Sequence, residues 1–279
     1  MKVRKYLLSF IKLIISIFIL SVTLFPFYSL VLMAILPSEE LKNGMMIIPS
    51  NVTFDNFTRL FNNANFGVAL KNSLINSLAA LLFSIGFGLA TAYVLARRRF
   101  SIRIKKPLTG WVLLVRVLPP VAFVIPLYTM FSKLGLLETR MPIILACVLI
   151  NIPLIIWFMI SFFSELPEEV EESGKIDGAN EWQLFYKVVL PLVLPGIAAV
   201  AMLSFIYAWN EYTYSIIFTR SPSNYTIPLA LAVLNTEDNI TDFGLVSSGG
   251  IISFLPIMLF VIFAQNYLIS GLSSGAVKE

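Results

Sequence analysis

Six apolar stretches separated by polar, charge-bearing segments account for most of the chain. They cover residues 13–36, 72–96, 108–131, 141–163, 190–218 and 243–269. Each is long enough for a helix rising about 1.5 Å per residue to cross a hydrocarbon layer about 30 Å thick. The last two exceed that need and leave room for tilt or flanking turns. Lys2, Arg4 and Lys5 precede the first stretch as they would in a signal peptide. That stretch is too long for such a leader and no small-residue cleavage site follows it, so the pattern predicts a retained first span. The expected fold is an all-α integral membrane protein with six transmembrane helices in a single domain over residues 1–279.

Composition agrees with this pattern. Hydrophobic residues make up 58% of the 279 and charged residues 13%, with a mean hydropathy of +0.85. A soluble domain of this size carries about 25% charge. One cysteine excludes a disulfide framework, and the absence of histidine excludes a Ser-His-Asp triad or a His-ligated zinc site. The formal charge of +4 does not point to nucleic acid, because the cations flank apolar runs. With the N-terminus inside, the inner segments hold 13 Lys and Arg, the outer ones hold six, and Arg116 lies within a span. Among the inner cations are Arg97, Arg98, Arg99, Arg103, Lys105 and Lys106. Such an excess favours cytoplasmic termini.

The connecting segments differ in character. Residues 37–69 form a long outer segment in which Phe54, Phe57, Leu60 and Phe61 are spaced for a short amphipathic helix at the interface. Residues 132–140 make a tight outer turn, and residues 219–242 a polar loop. No internal repeat of 20–50 residues occurs, and no inverted pair of interrupted helices of the kind found in many secondary transporters.

The segment over residues 164–189 is the most informative. Pro167 suits the first turn of a helix whose positive end meets Glu168 and Glu169. Gly174 can supply a left-handed stop, and Asp177-Gly178 is a turn signal. Asn180 with Gln183 three residues on resembles a capping box, and Trp182, Phe185 and Val189 then fall on one side at helical spacing. A plain connector needs only a few residues and gains nothing from exposed Trp182 and Phe185. An ordered helix pair bearing apolar side chains is expected to dock another protein.

These residues carry a specific resemblance. Glu168-Glu-Val-Glu-Glu172-Ser-Gly-Lys-Ile-Asp-Gly-Ala179, followed by Trp182, Phe185 and Leu190-Pro191-Leu-Val-Leu-Pro195, is similar to the EAA loop of binding-protein-dependent ABC importers, closest to the permeases of the maltose-type carbohydrate group. The likeness extends to Arg116-Val-Leu-Pro-Pro120, Pro126-Leu-Tyr, Lys133-Leu-Gly-Leu-Leu-Glu138, Trp209-Asn-Glu-Tyr212 and the tail Gly271–Lys278. Where the family's loop has two alanines this chain has Ser173 and Gly174. Both are small enough for close helix approach, although a glycine within a helix weakens it by about 0.5–1 kcal/mol.

The resemblance implies a prokaryotic multi-pass inner-membrane permease, surrounded by lipid, that moves a sugar or oligosaccharide. It implies a second homologous permease, two ATPase subunits that receive the loop through Glu168, Glu169, Glu172, Gly174, Asp177, Gly178, Ala179, Trp182 and Phe185, and an external sugar-binding protein. ATP and Mg would sit on the ATPase subunits. The chain itself contains no G-x-x-x-x-G-K-[ST] phosphate loop and is not expected to be an enzyme or to bind a cofactor or metal.

Polar residues inside the spans usually face a bundle interior or a wet cavity. Trp209-Asn210-Glu211-Tyr212 offers aromatic faces beside an amide and a carboxylate, which suits a sugar path as well as an interfacial aromatic belt. Asn151 joins these as a path candidate. Arg116, about 12 Å along its helix and next to Pro119-Pro120, is expected to support a bent helix with freed carbonyls. An ion-coupled transporter or channel is the alternative, but it would need coupling charges at mid-depth.

Overall fold

In the computed structural model, residues 2–42, 48–49, 51–63, 65–97, 100, 103, 105–234 and 242–275 are described. Arg98, Arg99 and the end of the predicted tail, residues 276–279, lie outside them. Twelve helices of this region matter below: α1 (Lys2–Ile35), α2 (Asp55–Asn63), α3 (Phe66–Ala96), α4 (Lys105–Val117), α5 (Pro120–Lys133, entered by a 3-10 turn), α6 (Met141–Glu165), α7 (Glu168–Ile176), α8 (Glu181–Leu192), α9 (Leu194–Trp209), α10 (Thr213–Phe218), α11 (Ile227–Leu234) and α12 (Phe243–Gly275). Four of them, α1, α3, α6 and α12, are long and apolar enough to cross a membrane unaided, and six spans result if each bent pair counts as one.

Two predicted spans are therefore not single helices. The stretch over 108–131 is α4 and α5, which meet at 106°. Pro119 is held extended at φ −65 and ψ 139, and neither it nor Pro120 can donate to a helix ladder, so the helix stops at Val117. The stretch over 190–218 is broken at both ends. Val193 leaves helical geometry at φ −99 and ψ 12 ahead of Pro195, which has no N–H for the ladder, and residues 210–212 separate α9 from α10. The α8–α9 pair bends by 81° at Val193. The second predicted span begins earlier than expected, at Phe66.

The chain divides into two compact units. One comprises residues 1–66 and 230–255. Here the predicted amphipathic helix forms as α2, but it does not merely lie on an interface. Leu60 is fully buried, while Asn56 Nδ2 donates to the Ala34 and Leu36 carbonyls at 3.0 and 2.8 Å, satisfying the end of α1. Arg59 pairs with Asp242 at 2.6 Å, and Asp242 Oδ1 accepts from Leu245 N at the start of α12.

The other unit comprises residues 67–229 and 256–279. Its main core gathers Leu89 and Tyr93 from α3, Ile155, Met159 and Phe163 from α6, Phe185 and Val189 from α8, and Val200 from α9. A second cluster joins Val124 and Phe131 of α5 to Ile150, Tyr214 and Phe218. At the end of the unit where α3 and α6 begin, Asn72 Oδ1 accepts from Arg140 Nε and Nη2 at 3.0 and 2.9 Å. Its Nδ2 donates to the Ser223 and Tyr225 carbonyls.

Candidate coupling site

The segment after α6 turns on Leu166 and Pro167, both extended, and re-forms as α7 with Glu168, Glu169 and Glu171 in its first turn. These acids oppose the helix's positive end favourably. The helix then sorts its side chains. Glu168, Glu169 and Glu172 are exposed, whereas Glu171 is only 5% exposed and faces the unit's interior. Arg97, just beyond the end of α3, meets it with Nε 2.5 Å from Oε1, and Tyr93 Oη donates to Oε2 at 3.0 Å. Arg97 Nη1 also donates to the Leu166 carbonyl at 2.9 Å, and Lys105 Nζ donates to the Arg97 carbonyl. One guanidinium thus joins the end of α3, the turn at Leu166 and the buried side of α7.

Gly174 does not end this helix, as its place before the turn suggested. It lies inside α7, and a Cβ there would come within 2.8 Å of Leu184 Cδ1, so the glycine serves close packing against α8. The left-handed residue is Gly178, at φ +84, where a side chain would cost about 1–2 kcal/mol. Around it the last turn closes through Asp177 N to Ser173 O and Ala179 N to Gly174 O, each 3.0 Å. The capping box forms as expected: Asn180 Oδ1 accepts from Gln183 N at 2.9 Å and Gln183 Oε1 from Asn180 N at 3.0 Å. Lys175 and Glu181 span the turn at 3.1 Å, an exposed pair that contributes little.

Beyond Gln183 the backbone of α8 is wound as a π-helix over Leu184–Val189, which shifts the side-chain register from the α spacing used above. Phe185 is accordingly not an exposed side chain but 7% exposed, packed with Val189 in the core, while Trp182 stays 70% exposed. Eight of the nine predicted coupling residues therefore fall into three places. Gly174, Asp177, Gly178 and Ala179 surround a surface depression of about 380 Å³, completed by Gln183, Lys187 and Val188. Glu168 and Glu172 flank a smaller recess with Arg97, Glu171 and Lys175. Trp182 and Phe185 face a separate groove with Ala90 and Val94. Glu169 is exposed on α7 by itself.

Sequence reasoning missed Glu171, Arg97 and Tyr93. A signal existed: Glu171 sits three residues before Gly174 and so shares the packed side that the small residue marks. A buried acid requires a cation, and Arg97 is the first available where α3 ends.

The intramembrane candidates also separate. Asn151 is fully buried and its Nδ2 donates to the Ser204 carbonyl at 3.1 Å, tying α6 to α9. Asn210 is exposed and turns back to the Ile206 carbonyl. Glu211, 6% exposed, accepts from Tyr214 N at 2.6 Å and Ser215 N at 3.0 Å, capping α10. Asn210, Glu211 and Tyr212 line a cavity of about 310 Å³ with Pro120, Tyr207 and Tyr214. Arg116 is exposed on the last turn of α4, and the carbonyl of Pro120 beyond it, in the 3-10 turn, accepts from Tyr214 Oη at 2.9 Å. Among the described residues no cluster of His, Cys, Asp or Glu could hold a metal.

Comparison with known proteins gives a consistent picture. Residues 84–274 match the family described as binding-protein-dependent transport system inner membrane component. The trehalose transport system permease protein SugB of Mycobacterium tuberculosis is 35% identical over 87% of this chain and 88% of its own length. The arabinooligosaccharides transport system permease protein AraQ of Halalkalibacterium halodurans is 32% identical over 94% of this chain and 93% of its own. The fold is shared with a chain in the crystal structure of a bacterial ABC transporter that imports the acidic polysaccharide alginate. That chain aligns with a TM-score of 0.80 at 20% identity, over 94% of this chain and 96% of its own length.

Proposed function

Because the chain belongs to the family of binding-protein-dependent transport system inner membrane components, we propose that it is the transmembrane permease subunit of an ABC importer for a sugar or oligosaccharide. The sugar class rests on relatives named for trehalose and arabinooligosaccharide transport. A structure of similar fold holds an alginate importer with an oligosaccharide-bound periplasmic protein. In this reading an external binding protein delivers the ligand, a second permease completes the path, and ATP with Mg is bound and hydrolysed on two ATPase subunits. In this reading the Lys and Arg gathered at the N-terminus and between α3 and α4 favour a cytoplasmic side for the termini and, by alternation of the spans, for residues 164–192.

The observation that carries the coupling role is the α7–α8 elbow. Glu168, Glu169 and Glu172 stand exposed on one arm, and a depression of mixed polar and apolar lining opens where Asp177, Gly178 and Ala179 turn the chain. The elbow is preorganised by the Arg97–Glu171 pair beneath it, so that force on the exposed arm reaches the end of α3 directly. In this reading Asn210 and Tyr212, which line the cavity beside the α9–α10 break, would be the side chains that meet a sugar, while Glu211 holds the backbone there.

Gly178→Leu tests this reading. It puts a branched side chain on a left-handed backbone inside the depression, and we expect ATPase co-purification and ligand-stimulated hydrolysis both to be lost while the chain still reaches the membrane. Wild-type values of both would refute docking at this elbow.

A further inference from the structure

The groove between α3 and α8 lies apart from the elbow's depression, and its chemistry differs. Its floor is Ala90 and Val94 in the last turns of α3, and its walls are Phe100, Phe185 and Trp182, enclosing about 140 Å³. Glu181 at the rim is engaged with Lys175, and the Tyr93 hydroxyl points away to Glu171, leaving its ring toward the space. A hollow so lined offers water few partners.

Two further observations say what fills it. First, α8 lies at 81° to α9. Spanning helices tilt by about 20° on average, so α8 runs close to the membrane plane. Trp182 and Tyr186 project from it 70% and 60% exposed, their rings stacked 6.1 Å apart at 18°. Trp and Tyr on an in-plane helix are the residues of a membrane interface. Second, the groove continues an apolar stripe. Phe83 and Phe87, both exposed, fall at helical spacing with Ala90 and Val94 along one side of α3. An acyl chain lying along that stripe runs into the groove without crossing polar surface.

We propose that this groove is a lipid site: the acyl chain of a bilayer phospholipid occupies it, with the Trp182–Tyr186 stack as the interfacial anchor of the elbow. Trp182 is thereby assigned to the bilayer rather than to the ATPase contact. The proposal goes beyond the transport reading and does not depend on docking at the Gly178 turn; it requires only that the ATPase contact leave Trp182 free.

Spin labels in the assembled transporter, reconstituted in phospholipid bilayers, test it. Cys147 is buried and is replaced by Ala to give a clean background. Labels are then placed through Trp182→Cys, Tyr186→Cys and, as a water-facing reference, Asp177→Cys. At 182 and 186 we expect relaxation by oxygen to exceed that by a water-soluble nickel chelate several-fold, with the opposite order at 177. Nickel access at 182 equal to that at 177 overturns the proposal, as does protection at 182 that arises only on adding the ATPase subunits. Because the cysteine itself alters the groove, the native tryptophan is measured too. The emission lost in Trp182→Phe gives the share due to Trp182, and acyl-brominated phospholipid is expected to quench at least half of it. An unquenched share overturns the site. Failure of the Gly178→Leu test leaves this contrast unchanged, so the two ideas fall separately.

Discussion

Two carboxylates of the larger unit are buried to nearly the same degree, Glu171 and Glu211, yet their oxygens find partners in different ways. Glu211 is satisfied locally, by the backbone N–H groups of Tyr214 and Ser215 in the turn that follows it. Glu171 is satisfied across the fold, by Arg97 and Tyr93 from the end of α3. The first arrangement shapes one short helix and would survive as a peptide-scale motif. The second exists only when α3, α6 and α7 are assembled, and it makes the position of the elbow conditional on them. A locally capped acid is an element of secondary structure, whereas a cross-linked one is a joint.

That contrast can be broken in a graded way. Arg97→Met leaves Glu171 buried without its cation, a class of change that costs about 3–5 kcal/mol. The purified complex should show the largest fall in Tm and lose ligand-stimulated ATP hydrolysis. The double exchange Arg97→Glu with Glu171→Arg should recover part of both, and an uncorrected loss would mean the pair acts by size and not by charge. Glu211→Gln retains one acceptor oxygen but gives up the charge and the second acceptor, for about 1.5–3 kcal/mol. Its Tm should fall with hydrolysis still coupled to ligand, and uncoupling would contradict the local role. Tyr93→Phe removes one hydroxyl donor while leaving the Arg97 pair in place, for about 1 kcal/mol. A small Tm shift with normal uptake is expected; a fall as large as that of Arg97→Met would show the tyrosine, not the arginine, to be the principal partner.

The four unbroken spans and the α7–α8 hairpin were legible because hydropathy and capping are local properties. Asn180 with Gln183, and Gly178 after Asp177, needed only their neighbours to be read. The breaks were less legible. Pro119-Pro120 announced a bend, but an apolar run on both sides of it concealed that α4 and α5 part by 106°. Val193 carries no local signal of its own, because Pro191 and Pro195 can each start a helix turn as well as end one. Glu171 was passed over beside Glu168, Glu169 and Glu172 for a different reason. Which side of α7 is buried depends on Arg97, far away in sequence, and the π-wound register of α8 likewise follows from packing in the core. Glu211 was correctly placed near aromatic residues, yet its bonding to its own backbone depends on the chain turning at residues 210–212.

Asn72 uses both ends of its amide at once, the oxygen for Arg140 and the nitrogen for two carbonyls of the 219–226 loop. Because the oxygen cannot donate and the nitrogen cannot accept, this side chain has one permitted orientation, and three stretches of backbone are fastened into a stiff collar. Shape change in this unit is thereby displaced to where its helices break, at residues 118–119, at Val193 and at residues 210–212, with α9 left as a rigid rod between the last two.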